Sequence, residues 1–115
     1  MKLPKGSKRI GWLTICGNKV PVIRMPELLT AEGGTALGLS DFERNAIFIR
    51  AGQTETQEKD TLIHEGIHML LNLSGAVNHL AGYVKAKDLA ACEETLVRIL
   101  TPNVVAMLGK ATVLK

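Results

Sequence analysis

Aromatic residues are nearly missing: one Trp, one Tyr and two Phe stand among 115 residues. A core must therefore be built mainly from Leu, Ile, Val, Ala and Met. The same scarcity argues against single-stranded nucleic-acid binding, which needs aromatic faces for bases to stack on. Charge of one sign is lacking too. Fourteen Lys and Arg against eleven Asp and Glu leave a formal +3, too mild and dispersed to imply a nucleic-acid groove or an anionic membrane. The basic residues Lys2, Lys5, Lys8 and Arg9 read as a solvated, frayed end. Only two cysteines occur, Cys16 and Cys92, in no C-x-x-C arrangement. That count fits buried free thiols in a reducing compartment. No stretch reaches the roughly 18 to 20 apolar residues of a membrane span, and "MKLPKGSKRIGW" lacks the apolar centre of a signal peptide. The expectation is one soluble, cytoplasmic domain over residues 1–115 with one modest core.

Along the chain, "RIGWLTICGNKVPVIRM" reads as two short strands around a Gly17-Asn18 turn. Pro21 cannot donate to a ladder, which predicts an edge position or an irregular start for the second strand. "PELLTAEGGTALGLS" reads as loop with one helical turn. A turn around Glu43-Arg44-Asn45 precedes a strand from Ala46 to Arg50, and "AIFI", apolar on both faces, suits a central position. From Thr54 the pattern is helical. Thr54 or Thr56 is the N-cap candidate, Glu55, Glu58 and Asp60 lie near the positive end, and Ser74-Gly75 is the stop. "AVNHLAGYVKAK" is a short helix or ordered loop, and Asp88 can cap a further helix through "LAACEETLVRIL". At Thr101-Pro102 that helix either breaks and restarts or continues through a kink. Strands first and helices after predict an α+β fold: a small antiparallel sheet of about three strands with helices on one face.

The chemistry concentrates in "KDTLIHEGIHMLLNL". His64-Glu65-Gly66-Ile67-His68 matches H-E-x-x-H. Positions i and i+4 lie one above the other on a helix face, so both imidazoles can reach one Zn²⁺. Glu65 points about 100° away around the axis. It can approach a water at the metal without displacing a histidine, taking the water's proton and passing it to a leaving amine. The five-residue match also arises by chance, and a histidine on an apolar helix face is commonly a satisfied core residue. The surroundings favour the metal. Leu62, Ile63, Ile67, Leu70 and Leu71 bury such a helix, and three polar groups among them need partners. Gly66 weakens the helix, which a close approach of another backbone would explain.

A catalytic zinc takes three protein ligands and keeps one place open. The extension H-E-x-x-H-x-x-G-x-x-H is ruled out by Leu71 and Ser74. His79, Asp88, Glu93 and Glu94 remain as donors. Helical periodicity prefers Glu93, which shares a stripe with Leu96, Val97 and Leu100, whereas Glu94 lies above Val97, Thr101 and Val104. An acidic first turn stabilising the helix N-terminus is the plain alternative for either glutamate.

The order of Gly38, Asp41, Arg44, Ile47, Ile49, Gln57, Thr61-Leu62, the H-E-x-x-H motif, Glu94, Val97 and Leu100 resembles the small phage- and prophage-associated members of the ImmA/IrrE-like metallopeptidases. The resemblance spans roughly residues 8 to 110, with the motif helix its one specific part. It implies a minimal zincin-like fold with a gluzincin site: His64 and His68 as zinc ligands, Glu65 as general base and a downstream glutamate as third ligand. The family's E-x-x-[AV] pattern places that ligand at Glu94, with Glu93 the alternative. Arg98 departs from the family, which often has a small polar or acidic residue there, and the longer members' sensor and helix-turn-helix domains are not in this sequence. In a related site a Tyr or His steadies the oxyanion, a role open to Tyr83 or His79. The implied activity is zinc-dependent peptide hydrolysis on a protein or peptide. A zinc-holding but non-catalytic phage protein that binds a repressor or host factor is the competing reading.

Overall fold

The computed structural model describes residues 3–28 and 33–113, with side chains as far as Leu108. Strands β1 (Lys8–Ile15), β2 (Asn18–Met25), β3 (Gly38–Asp41) and β4 (Ala46–Arg50) precede helices α1 (Glu55–Leu73), α2 (Ala76–Leu80) and α3 (Leu89–Val113). The α+β class is as expected, but the sheet is neither three-stranded nor purely antiparallel. Its order is β1-β2-β4-β3, with β2 and β4 parallel and the outer pairs antiparallel.

The extra strand is β3, from the Gly-, Thr- and Ser-rich stretch read as loop. Four residues carry too little alternation to announce a strand, and β3 exists through pairing with β4, from Gly38 opposite Ile49 to Asp41 opposite Ala46. The described residues of that stretch contain no helical turn, and residues 29–32 lie outside the described residues.

The hairpin joining β1 and β2 turns at Cys16-Gly17, one residue before the expected position, and Ile15 pairs with Asn18. Both turn residues have positive φ, 51° and 77°, the requirement of a tight turn matching strand twist. Pro21 does not put β2 at an edge, because β2 lies between β1 and β4. Proline is accommodated opposite Trp12, one residue before the β4 ladder opens at Val22 and Ile47. Cys16 and Cys92 are free, but Cys16 is exposed in the turn rather than buried.

The apolar run "AIFI" is central and faces both ways, as its composition predicted. Ile47 and Ile49 join Ile15, Val20, Val22 and Met69 of α1 in one core cluster. Ala46 and Phe48 join Ile23 and Leu28 in a second. Burying a side chain of this size contributes on the order of 1.5–3 kcal/mol, so α1 is fixed on the sheet chiefly by the first cluster.

Helix α1 starts at Thr54, which forms a full capping box with Gln57. Its stop is Ser74, followed by Gly75 at φ 81°. Helix α3 runs unbroken through Pro102, so of the two alternatives the continuous one holds. Pro102 has no N–H to give the Arg98 carbonyl. Around it, the Thr101 hydroxyl and Asn103 amide donate to the Val97 and Ile99 carbonyls. Among the described residues no helix is long and apolar enough to cross a membrane.

Gly66 does not admit another backbone. A Cβ there would meet only Leu13 Cδ1, at an ordinary 3.6 Å. Gly66→Ala is therefore expected to raise the unfolding free energy by about 0.5–1 kcal/mol in urea titration, the helix-propensity difference.

Arg24 of β2 clamps Glu58 of α1 through two hydrogen bonds, 2.9 and 2.6 Å. The guanidinium's hydrogen bonds hold the Glu58 carboxyl below its ordinary value, and the carboxylate in turn raises Arg24. A depressed carboxyl stabilises the fold above the unfolded-state value near 4.5, and that contribution fades as pH falls through the lower folded value. With both side chains partly exposed, it should stay below about 1 kcal/mol. Glu58→Gln is expected to be less stable than wild type at pH 7, the gap closing on acidification; a gap that widens toward acid would contradict this.

Candidate metal centre

Helix α1 lies with His64, Glu65 and His68 toward α3 and the edge strand β3. His68, with 13% of its side chain exposed, sits between the two glutamates of α3. Its Nε2 is 3.0 Å from Glu94 Oε2 and its Nδ1 is 2.6 Å from Glu93 Oε2. His64 Nε2 is 3.3 Å from Glu94 Oε1. Both Nε2 atoms thus turn to one carboxylate. Donor atoms of His64, His68 and Glu94 all lie within 4.8 Å of one another, a group that could hold a metal ion. The two histidine rings meet edge to face, 5.1 Å between centroids, neighbours on the helix surface through their i, i+4 spacing.

Glu65 is positioned by the strand that the sequence hid. Ser40 Oγ lies 2.8 Å from Glu65 Oε1 and 2.9 Å from the Glu65 carbonyl oxygen. Glu65 Oε2 is 4.0 Å from His64 Nε2, so the carboxylate stands beside the cluster without joining it. Buried Thr61 anchors the same corner. Its hydroxyl donates to Gln53 Oε1, and the Gln53 amide donates to the carbonyls of Leu37 and Arg50. This relay fixes the start of β3 to α1.

The cluster opens into a cleft of about 700 Å³ lined by Leu37, Gly38, Thr61, His64, Glu65, Glu94, Arg98 and Thr101 with Ala36 and Asp60. Arg98, largely exposed, donates through Nε to Glu94 Oε1 at 3.3 Å. Another cavity, about 620 Å³, lies on the far face of the sheet beside Leu28 and Phe48 and contains no histidine.

The rivalry between Glu93 and Glu94 thus resolves into two places. Glu94 faces both Nε2 atoms, and Glu93 faces the opposite side of the His68 ring. Successive residues lie about 100° apart on a helix, so the pair can straddle one imidazole. Tyr83 and His79 are not brought to the cluster. They pair with each other, 5.4 Å between centroids, and both are exposed; neither lines the cleft. Asp88 belongs to the 3-10 turn Ala86–Asp88 before α3. Two residues that touch the site escaped sequence reasoning as functional positions, Ser40 through Glu65 and Arg98 through Glu94. Ser40 had no readable strand to place it, and Arg98 stood out only as a departure from the family pattern, four residues after Glu94.

The donor chemistry fits a divalent cation. Two imidazole nitrogens and one carboxylate, with no thiolate among them, form a set used by catalytic zinc. Comparison of the chain with protein-family models, curated proteins and solved structures found no match.

Gly38 lets β3 lie against α1. A Cβ there would stand 2.6 Å from Thr61 Cγ2 and 2.9 Å from Glu65 Cγ. Gly38→Ala is expected to cost about 1–3 kcal/mol, the usual penalty of overpacking, read as a lower urea midpoint with unchanged slope. Wild-type stability in this variant would mean that β3 does not press on the motif helix.

Proposed function

We propose that this protein is a zinc-dependent peptidase with a minimal zincin-like fold, in which His64, His68 and Glu94 hold the metal and Glu65 is the general base. The observation that carries the proposal is the convergence of two Nε2 atoms and the Glu94 carboxylate, with a separately held carboxylate, Glu65, at the same cleft. The resemblance to the ImmA/IrrE-like metallopeptidases supports the same assignment through the motif helix and the place of Glu94.

A zinc ion held there supplies Lewis acidity, bringing the pKa of water toward about 7 and polarising a peptide carbonyl. The residues of the chain do the rest. Glu65 accepts a proton from the attacking water and delivers it to the departing amine. Ser40 keeps the Glu65 carboxylate turned to the cleft, so little reorganisation precedes proton transfer. Leu37, Gly38 and Thr101 wall the cleft. Strand β3, at the open edge of the sheet, offers backbone groups to an extended peptide.

Glu65→Gln separates metal holding from chemistry. The variant is expected to retain one zinc per chain by elemental analysis while cleavage of a fluorogenic peptide mixture falls about 10²–10⁴-fold. A wild-type protein that holds zinc and cleaves nothing would favour the non-catalytic, partner-binding reading. Undiminished cleavage by Glu65→Gln would remove Glu65 from the mechanism.

A further inference from the structure

We infer that Glu93 is the positioning carboxylate of the metal site: it fixes the ring orientation and tautomer of His68, so that Nε2 is left free to bind the metal. The inference rests on the reading that His64, His68 and Glu94 hold a divalent metal. Glu93 cannot be an alternative ligand beside Nε2, because its Oε2 sits 2.6 Å from Nδ1 and the two nitrogens of one imidazole point apart. Nor is it an acidic first-turn residue serving the helix dipole, since the first turn of α3 contains none.

The two histidines are not equivalent. His68 and Glu93 have 13% and 18% of their side chains exposed, and His64 has 30%. The ionic contacts of His64 both use Nε2. His68 is therefore the ligand held from both sides of its ring. With a proton on Nδ1 donated to Glu93, its Nε2 presents a lone pair, and the carboxylate makes that nitrogen a stronger donor.

The experiment is zinc titration of the full chain and its Glu93→Ala, Glu93→Gln and Glu94→Ala variants by competition with a chromophoric chelator. It is paired with ¹⁵N NMR of the imidazoles in the metal-free protein. Glu93→Ala is expected to weaken zinc 10–100-fold, the usual effect of losing such a supporting group. Isosteric Glu93→Gln keeps the shape but loses the charge, and should fall between it and wild type. The metal-free melting temperature should fall by several degrees in Glu93→Ala, which leaves Nδ1 unmet, and less in Glu93→Gln, whose amide oxygen can still accept. The NMR signature of His68 should show Nδ1–H in wild type and lose it in Glu93→Ala. Wild-type affinity in both Glu93 variants, or an Nδ1–H signature that persists in Glu93→Ala, overturns the inference and leaves the metal site standing. A wild-type chain that binds no zinc overturns both.

Discussion

The structure depends on how His68 is partnered. An imidazole this far from solvent, in an apolar helix, must have its ring nitrogens satisfied, because an unmet polar group there costs on the order of 1–3 kcal/mol. Glu93 and Glu94 satisfy one nitrogen each. To do so α3 has to pass directly over the middle of α1, with Val97 fully buried one turn beyond. That crossing also brings Glu94 to His64 and sets Arg98 and Thr101 along the cleft. The requirement for polar satisfaction and the assembly of the candidate site are therefore one constraint.

The sheet supplies the other wall. One face is apolar and holds α1 by its buried side, through Met69 and the Ile and Val residues of β1, β2 and β4. The edge strand β3 differs in purpose. It presents Gly38, which has no side chain to keep Thr61 and Glu65 away, and Ser40, whose hydroxyl bonds Glu65. Close packing of backbone on helix thus lets a polar contact form at the edge of the core. The histidines are partnered from α3 and Glu65 from β3, so the three polar residues of the motif are held by different elements.

Much of this was legible in the sequence where local chemistry is strong. Of the two N-cap candidates α1 uses Thr54, and it ends at Ser74-Gly75 as expected, while "AIFI" announced a strand buried on both faces. His64, Glu65 and His68 could be named from their spacing because helical geometry alone puts the imidazoles together. What was hidden depends on contacts far apart in sequence. β3 is recognisable only beside β4, and Pro21 seemed an edge marker until the late start of the β4 ladder was known. Periodicity marked Glu93 as inward-facing and the family pattern marked Glu94 as a ligand position. Each was informative about a different nitrogen, and only the packing of α3 on α1 shows both. Tyr83 and His79, candidates for an oxyanion role, stand away from the cluster, and nothing in their spacing fixed which way α2 and the turn after it would run.

The central claim is that two imidazoles and one carboxylate hold a single divalent metal. Zinc-edge X-ray absorption on the protein loaded with one equivalent tests it directly. The account predicts only nitrogen and oxygen neighbours at about 2.0–2.2 Å, with multiple scattering from two imidazoles. A sulfur neighbour near 2.3 Å, which would have to come from Cys16, Cys92 or a methionine, or a spectrum of hydrated zinc alone, would contradict it.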